Sequence, residues 1–210
     1  MTIVINEIPR RRRGRPPAFD RSEVLGKAAV RFWQFGYEGT SIADLTETMG
    51  ITPQSLYAAF GSKAELYREA VGWYLANIGS GEWLEIDDVV EAFRQMLREQ
   101  AATFTKPGYP PGCMISTAVL TAAVENVDVA AHVSRLREAN VALFSQKLRD
   151  GVAAGQLRPD TDVVALARFI GAIIQGMAVQ ARDGADQVAL NGIASMALAQ
   201  LERWRVNAGS

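Results

Sequence analysis

The sequence is poor in the side chains on which most enzymes and metal sites depend. Its 210 residues include a single cysteine, Cys113, and a single histidine, His132. One cysteine excludes an internal disulfide framework, and one histidine argues against a histidine-based metal cage. No nucleophile–base pair stands out either. We therefore expect no enzymatic activity, and we assign no catalytic residue, no metal and no cofactor.

Long apolar runs are also scarce. The most apolar stretch, residues 163–181, is interrupted by Arg168, Gln175 and two glycines, so we expect no membrane span. The N-terminal arginines are followed by prolines and not by an apolar run, so we expect no secretory signal. Together with the single cysteine, these absences predict a cytoplasmic protein.

The net charge is small, at −1 at pH 7, but the positive charge is concentrated near the N-terminus. Five arginines lie within residues 10–15, among prolines and without a helical period, so residues 1–17 are predicted to form a disordered basic arm. Arg13-Gly14-Arg15-Pro16 has the pattern of a minor-groove hook, in which glycine permits a close approach and the two arginines enter a narrow A·T-rich groove. The alternative is a basic tail that only follows phosphates.

Residues 40–60 (TSIADLTETMGITPQSLYAAF) predict two short helices joined by a tight turn. Ile42, Leu45 and Met49 recur at i, i+3 and i+7, which gives the first helix one apolar stripe. Gly50 follows at the position where a helix ends in a left-handed conformation. The first helix is therefore expected to end at Met49 and to pack through that stripe.

The second of these helices is expected to start with Thr52 as its cap and Pro53 at its first position, and to turn Leu56 and Phe60 inward. Its outward side then carries small hydrogen-bonding side chains. These are Thr52, Gln54, Ser55 and Tyr57. A short helix that exposes such groups near its N-terminus fits a DNA major groove, so we interpret it as a recognition helix. The alternative is a helical hairpin that serves only packing.

Helices are predicted on both sides of this pair. Asp20 can cap a helix that runs to about Phe35, with Phe32 and Phe35 on its apolar side, and Ser62 can cap another that runs from Lys63 to about Asn77. Three helices in about forty residues are the minimum that buries the core of a helix-turn-helix domain. Lys63 would lie beside the recognition helix, where its ammonium could hold a phosphate.

From Asp20 to Tyr67 the sequence resembles the DNA-binding domain of the TetR/AcrR family of bacterial transcriptional regulators. The resemblance rests on GTSI at residues 39–42 and on LYAAFGSKAEL at residues 56–66. It implies a homodimer whose two recognition helices enter successive major grooves of a palindromic operator in double-stranded DNA, with a separate ligand-sensing helical body. By family position, Thr52, Gln54, Ser55 and Tyr57 would lie on the recognition helix, with Thr40, Ser41 and Lys63 on phosphates.

Two positions depart from the family pattern. Many members have a histidine or tyrosine where this chain has Ala58 or Ala59, so more of the base reading is expected from Gln54 and Tyr57. The alanine that is common in the first helix of the pair is Thr46 here, a small residue that should still fit. The first departure leaves the operator sequence open.

The remainder of the chain reads as helices throughout. They are predicted at about residues 86–105, 126–154, 159–181 and 185–205, with a Gly- and Pro-rich loop at 106–112 and a small, apolar stretch at 113–124. The fold is therefore predicted to be all-α with about nine helices. Its parts are the arm (1–17), a helix-turn-helix domain (18–62), a connecting helix (63–79), and an effector-binding and dimerisation domain (80–210).

The last two helices are expected to form the interface of a homodimer. They are apolar over more than one narrow stripe and rich in small residues, and a two-fold axis there would set the recognition helices roughly 34–36 Å apart, one turn of duplex. The small residues are Gly171, Ala172, Gly176 and Ala178. The alternative is that these two helices are the core of a monomeric bundle.

Ligand binding in the family occurs in the helical body, and aromatic and methionine side chains there are candidates because they line apolar, adaptable pockets. The candidates are Trp83, Phe93, Met96, Phe104, Cys113, Met114, Ile115 and Met177. Cys113 could also start a helix, where the dipole lowers a thiol pKa and favours sensing of an electrophile or oxidant; the alternative is a buried, inert cysteine. His132, four residues after Asp128, is expected on a solvated helix face.

The function that follows is a ligand-responsive repressor, which a small-molecule effector of unknown identity releases from its operator through the helix at residues 63–77. The rival interpretation is an effector-independent architectural protein that uses the arm, with weak sequence preference and a steep salt dependence. The sequence leaves open the operator, the effector, the controlled genes, the sign of regulation and any sensing role of Cys113.

Overall fold

The computed structural model describes residues 19–78, 81–116, 118–119 and 122–206. These residues form eight α-helices: α1 (Arg21–Phe35), α2 (Ile42–Met49), α3 (Pro53–Phe60), α4 (Lys63–Asn77), α5 (Val89–Phe104), α6 (Val127–Ala153), α7 (Val163–Arg182) and α8 (Gln187–Glu202). Short 3₁₀ turns lie at Glu82–Glu85 and Val124–Asn126. The predicted all-α fold is confirmed; over the described ranges, Leu157 and Arg205 form an isolated antiparallel bridge and no strand occurs.

The structure confirms the capping residues and helix ends that were predicted for the first third of the chain. The side chain of Asp20 accepts hydrogen bonds from two amides of the first turn of α1, and Gly36 follows its last residue. Ser62 likewise caps α4, by accepting from the amide of Glu65. The bounds of α1 to α4 are those predicted, because each end carries its own local cap.

Later helix starts were predicted too early. The helices α5, α7 and α8 begin directly after Asp88, Asp162 and Asp186. The carboxylates of these residues accept hydrogen bonds from main-chain amides of the first turn. Before α7, the residues after Arg158 form a separate turn that Thr161 closes through a hydrogen bond from its hydroxyl to the Arg158 carbonyl. In each case the helix is capped by the aspartate directly before its first turn, and not by the earlier residue at which the sequence predicted the start.

The number of helices is eight in the described ranges, not about nine. The difference lies after α5, where residues 114–116 form a turn and no α-helix begins at Cys113. The main-chain amides of Ile115 and Ser116 both point at the Cys113 sulfur, at 3.4 Å. Cys113 therefore does not start a helix, contrary to the expectation from the sequence.

The helices pack as two layers that share a continuous core. In the first layer, α1 packs against α4 and α2, and α3 closes against α2 and α4. In the second, α5 packs against α8, α6 packs against α7, and α7 also packs against α5 and α8. Helix α4, which was predicted to be a connecting helix, packs extensively against α1. It is therefore part of the first layer.

Aromatic side chains build the core of the first layer. Tyr67 of α4 meets the Phe32 ring edge-on at a centroid distance of 5.0 Å, and Tyr74, about two turns further on, meets Trp33 at 4.9 Å. Phe35, which was predicted to face inward, is 45% exposed and lies under the Arg31 guanidinium at 4.1 Å. Trp33 takes the inward position instead.

Three polar contacts tie the first layer to the body. The Arg182 guanidinium donates to the carbonyls of Trp33 and Gln34 at the end of α1, at 3.1 and 2.8 Å. The Glu38 carboxylate accepts from the Asn126 side chain and the Ala123 amide, and these bonds lower the pKa of Glu38. In addition, Arg68 pairs with Asp128. Polar side chains therefore join the two layers in addition to their shared core.

Helix α7 is the one helix of the described ranges that is long and apolar enough to cross a membrane by length and composition. The fold offers another explanation for that composition. One side of α7 is buried against α5, α6 and α8, and another contributes Phe169 and Ile173 to an open apolar face. Arg168, in its second turn, forms an exposed ion pair with Glu138 of α6.

Candidate DNA-binding surface and ligand cavity

A tight turn fixes the angle between α2 and α3. Gly50 has a left-handed backbone conformation, with φ 69° and ψ 33°, and its amide donates to the Thr46 carbonyl at 2.9 Å. The next amide, of Ile51, donates to the same carbonyl at 3.1 Å. A residue with a Cβ is disfavoured at this φ, which explains the glycine. Thr46 itself is buried and fits, as expected.

Helix α3 is anchored on one side and open on the other. Thr52 caps it by accepting from the Ser55 amide at 3.1 Å, and Leu56 and Phe60 are buried against the neighbouring helices. On the opposite side Gln54 is exposed and the Tyr57 ring is 49% exposed. The described residues therefore present this side of α3 to solvent, as predicted for a recognition helix.

The end of α3 is held by a side chain from α1. Arg21 lies over the Phe60 ring at 4.5 Å, donates to the Ala59 carbonyl, and forms an ion pair with Glu69 of α4 at 2.7 Å. The ion pair is exposed and adds little stability by itself. Its combination with the ring contact links three helices at one point, so α3 is positioned as part of a rigid unit.

The start of α2 is closed by a capping box. The hydroxyl and the amide of Ser41 both donate to the Asp44 carboxylate, and the Asp44 amide donates back to Ser41. These hydrogen bonds lower the pKa of Asp44, and Arg31, which pairs with it at 3.0 Å, adds to the effect. Ser41 is exposed, so a phosphate contact from it stays a prediction.

Thr40 does not belong to the surface. Its side chain is 0% exposed, and its hydroxyl donates to the Gly36 carbonyl at 2.7 Å. The expectation that this hydroxyl contacts a phosphate is wrong, because the hydroxyl closes the turn between α1 and α2. A polar residue with a local main-chain partner cannot be told from a DNA contact by sequence alone.

Lys63 lies at the start of α4 with its ammonium 4.2 Å from the centre of the Tyr37 ring. Partial burial lowers the pKa of Lys63, against the opposing effect of Glu38 and Asp44. A phosphate beside this ammonium would favour its charged form. The predicted phosphate contact of Lys63 remains a prediction, as do the contacts of Arg13 and Arg15, which lie outside the described residues.

A cavity of about 200 Å³ lies in the body between α4, α5 and α6 and the turn after Cys113. Of the predicted ligand residues, four line it: Trp83, Met96, Cys113 and Ile115. Phe93, Phe104 and Met177 are instead fully buried in the core, and Met114 lines a neighbouring cavity beside Trp33 and Arg182. The sequence correctly indicated that these large apolar residues are buried, but it does not indicate which of them line the cavity.

Polar residues of the cavity wall were missed. Gln100 and Thr103, at i and i+3 of α5, line the cavity together with Asn140 of α6. The signal was present in the sequence, since both α5 residues sit on the same side as the apolar Met96. In this helix the polar residues that interrupt the core-facing stripe mark the cavity wall together with Met96.

Cys113 is buried at the boundary between this cavity and the first layer. The Tyr74 hydroxyl of α4 lies 3.4 Å from the Cys113 sulfur, in hydrogen-bonding geometry. Cys113 also borders the neighbouring cavity, which Trp33 of α1 lines from the other side. A sensing role for the thiol stays a prediction.

His132 and Asp128 both lie near arginines of the described chain. Asp128 is engaged by Arg68, and burial together with the nearby charges of Arg68 and Arg135 lowers the pKa of His132. Across residues 19–78, 81–116, 118–119 and 122–206, no group of three His, Cys, Asp or Glu side chains is placed to hold a metal ion.

The exposed face of α7 and α8 forms a second, more open concave surface of about 570 Å³. Apolar residues line most of it, including Phe169, Ile173, Ile193 and Met196. Met196 is 73% exposed, which is unusual for a methionine in a helix that also contributes to the core. This is the face that the sequence predicted as the dimer interface.

Comparisons with known proteins agree on both parts of the chain. The family described as "Bacterial regulatory proteins, tetR family" matches residues 24–70, and "Tetracyclin repressor-like, C-terminal domain" matches residues 85–196. The HTH-type transcriptional repressor ComR of Escherichia coli (strain K12) is 35% identical over 190 residues, 89% of this chain and 90% of ComR. The HTH-type transcriptional repressor BdcR of the same strain is 29% identical over 187 residues, 88% of this chain and 90% of BdcR.

A solved structure shows the same architecture bound to DNA. It contains a cysteine mutant of the TetR family transcriptional regulator CifR, complexed with 26-bp double-strand operator DNA. CifR is 41% identical to this chain, with a TM-score of 0.85 over 88% of this chain and 98% of CifR.

Proposed function

The chain belongs to the TetR family of bacterial regulatory proteins, and from this we infer that it is a transcriptional repressor that binds operator DNA as a homodimer and responds to a small-molecule effector. The observation that carries this function is the open side of α3. Gln54 and Tyr57 are exposed on a helix whose other side is fixed by Leu56 and Phe60. The operator complex of CifR, a similar molecule, supports the same use of this surface.

We propose that Gln54 and Tyr57 read bases, with Thr52 and Ser55 at the helix start. A glutamine can make two hydrogen bonds to adenine in the major groove, and a tyrosine hydroxyl can donate to or accept from a base edge or a phosphate. Ser41 and Lys63 flank the helix and are proposed to hold the DNA backbone. Backbone contacts set the position of α3, while the contacts of its open side choose the sequence.

The contact between the cavity and α1 supports a route for effector response. The Tyr74 hydroxyl of α4 donates a hydrogen bond to the Cys113 sulfur at the cavity wall, and the Tyr74 ring packs edge-on against Trp33 of α1. A ligand that moves the turn after Cys113 therefore acts on α4 and α1 together, and α3 moves with them through Arg21. A near-complete switch needs the ligand to prefer one conformation by about 10⁴-fold.

Selection of bound fragments from random duplex DNA tests the proposed function. We expect an inverted repeat whose half-sites lie about one helical turn apart, because two α3 helices related by a two-fold axis must reach the same side of the duplex. The rival function, an architectural protein without an effector, predicts fragments of no shared sequence and a steep dependence on salt. Recovery of such unrelated fragments at moderate salt would refute site-specific regulation.

The basic arm is proposed to add affinity without choosing the site. Replacing Arg13 and Arg15 by alanine is expected to weaken operator binding and to lower the salt slope by about one for each phosphate-neutralising arginine lost from the complex. Fluorescence anisotropy at several salt concentrations measures both quantities. Replacing the exposed Arg149 of α6 and the exposed Arg203 directly after α8 by alanine removes the same two charges and serves as the charge-matched control. An unchanged slope would show that the arm does not touch DNA.

The relatives are transcriptional regulators, and we propose that this chain likewise has no catalytic activity. The support is that its one cysteine and one histidine are separated in the fold, with Cys113 buried near Tyr74 and His132 placed near Arg68 and Arg135. We also propose a cytoplasmic location, because an operator in bacterial DNA is reached only from there.

A further inference from the structure

The cavity in the body has a wall without charge. Among the described residues that line it, there is no aspartate, glutamate, lysine, arginine or histidine. Residues 79–80, 117 and 120–121, which adjoin the wall in sequence and lie outside the described ranges, carry no ionisable side chain either. An ionised ligand would lose its water there and meet no opposite charge, which is costly in a protein interior.

Two cations touch the wall but are already engaged. Arg137 donates to the main-chain carbonyls of Ile115 and Ala118, at 3.1 and 3.0 Å. Lys147 donates to the carbonyls of Leu84 and Ile86, at 2.9 and 2.6 Å. Both cations hold the backbone in place from positions that do not line the cavity. They therefore fix its shape and leave its interior neutral.

The wall nevertheless offers hydrogen bonds. Gln100 and Thr103 of α5 and Asn140 of α6 line the cavity, and Ser116 lines it from the turn. An amide can donate and accept, and a hydroxyl can do the same, so these groups suit a neutral ligand with a hydroxyl, carbonyl or amide. The remaining wall is largely apolar, with Trp83, Met96 and Phe144 facing the same space.

The volume limits the size of the ligand. A cavity of about 150 Å³ holds benzene, so the cavity of about 200 Å³ in this protein suits a molecule of about eight to ten non-hydrogen atoms. Leu75, Leu84 and Leu143 are partly exposed where the cavity meets solvent, so entry is across an apolar surface. A coenzyme thioester or a multi-ring drug exceeds this space.

We propose that the effector is a small, uncharged molecule of one ring or a short chain, with one or two hydrogen-bonding groups. The inference rests on the proposed function only in calling this molecule an effector. The selectivity of the cavity is a property of the protein alone, and it is measured without DNA.

Calorimetric titration of the full chain with three probes of similar size tests the proposal: benzyl alcohol, benzoate and benzylammonium at pH 7. We expect benzyl alcohol to bind at one site per chain, and both ions to bind at least about tenfold more weakly, since each must be desolvated without a partner. Equal binding of either ion would overturn the claim about charge. Failure of benzyl alcohol to bind would overturn the claim that the cavity is a ligand site of this class.

Two substitutions of one residue show whether the probe binds in this cavity. Gln100→Leu keeps the side-chain size and removes the amide, so benzyl alcohol should bind several-fold more weakly. Gln100→Glu adds a carboxylate, and the order of the probes should change so that benzylammonium becomes the best ligand. Gln95→Leu, on another side of α5 where Gln95 bonds to Glu99, is the matched control and should leave binding unchanged.

The outcomes distinguish failure of the proposed ligand site from failure of the proposed repressor function. An unchanged probe order in a folded Gln100→Glu protein would place the bound probe elsewhere and refute the proposed site. Selection from random duplex DNA is run in parallel with the unliganded protein. Failure to recover fragments with a shared sequence, with the probe selectivity intact, would refute the repressor function and leave the cavity chemistry standing.

Discussion

Replacing Met196 by glutamate is expected to convert the dimer into a monomer and to lower operator affinity by about 100-fold or more. Met196 is 73% exposed in the single chain, so the charge is tolerated in the folded monomer. In a dimer joined through α7 and α8 the same carboxylate would be buried in an apolar face, without a partner. Once the two subunits separate, each half-site is bound alone and the gain from linkage, about 10²–10⁴-fold, is lost.

Sedimentation velocity measures the oligomeric state, and anisotropy with a selected operator fragment measures the affinity. Val124→Glu is the matched control, because Val124 is 86% exposed and lies in the short 3₁₀ turn before α6, away from α7 and α8. It should leave both quantities unchanged. A Met196→Glu protein that remains a dimer with full operator affinity would move the interface to another surface of the body.

Replacing Gln54 by alanine is expected to weaken operator binding and to relax the base preference at one position of each half-site. One lost bidentate contact costs about 1–3 kcal/mol, and the two-fold symmetry removes it twice, so the loss is about 2–6 kcal/mol, or roughly 30-fold at its smallest. Folding should be unaffected, because Gln54 is exposed and the packing of α3 depends on Leu56 and Phe60. Tyr57→Ala should act in the same direction.

The measurement is a second selection from random DNA with the Gln54→Ala protein, compared position by position with the wild-type site. Gln34→Ala removes the same side chain from an exposed position of α1 and should change neither affinity nor sequence, since only its main-chain carbonyl bonds to Arg182. If the Gln54→Ala protein selects the wild-type site with undiminished affinity, the bases are read by other residues.

The sequence was most informative where a residue acts on its own neighbours. Ser41 with Asp44 forms the predicted start of α2, Gly50 ends it, and Thr52 with Pro53 starts α3. These signals are local hydrogen bonds and backbone conformations that span no more than four residues. For the same reason the exposure of Gln54 and Tyr57 followed from helical spacing alone.

Residues whose role depends on distant partners were misjudged. Thr40 is a different case, because its partner is local: it reads as a surface hydroxyl, yet it is buried and donates to the carbonyl of Gly36, four residues earlier. Phe35 and Trp33 both fit an apolar face, and packing against Tyr74 and Tyr109 selects Trp33 for the interior. Two candidates a few residues apart on one helix can be ranked only when the opposing helix is in place.

By itself, the sequence determined the all-α class, the helix-turn-helix unit, its open side and the family. The tertiary structure alone decided which interior residues border the cavity, that the cavity wall is neutral, and that Cys113 joins it to Tyr74 and α1. The physical reason is the range of the forces involved. Caps, turns and helical periods act within a few residues of chain, whereas a cavity is the space that several packed helices fail to fill, and no single segment encodes it.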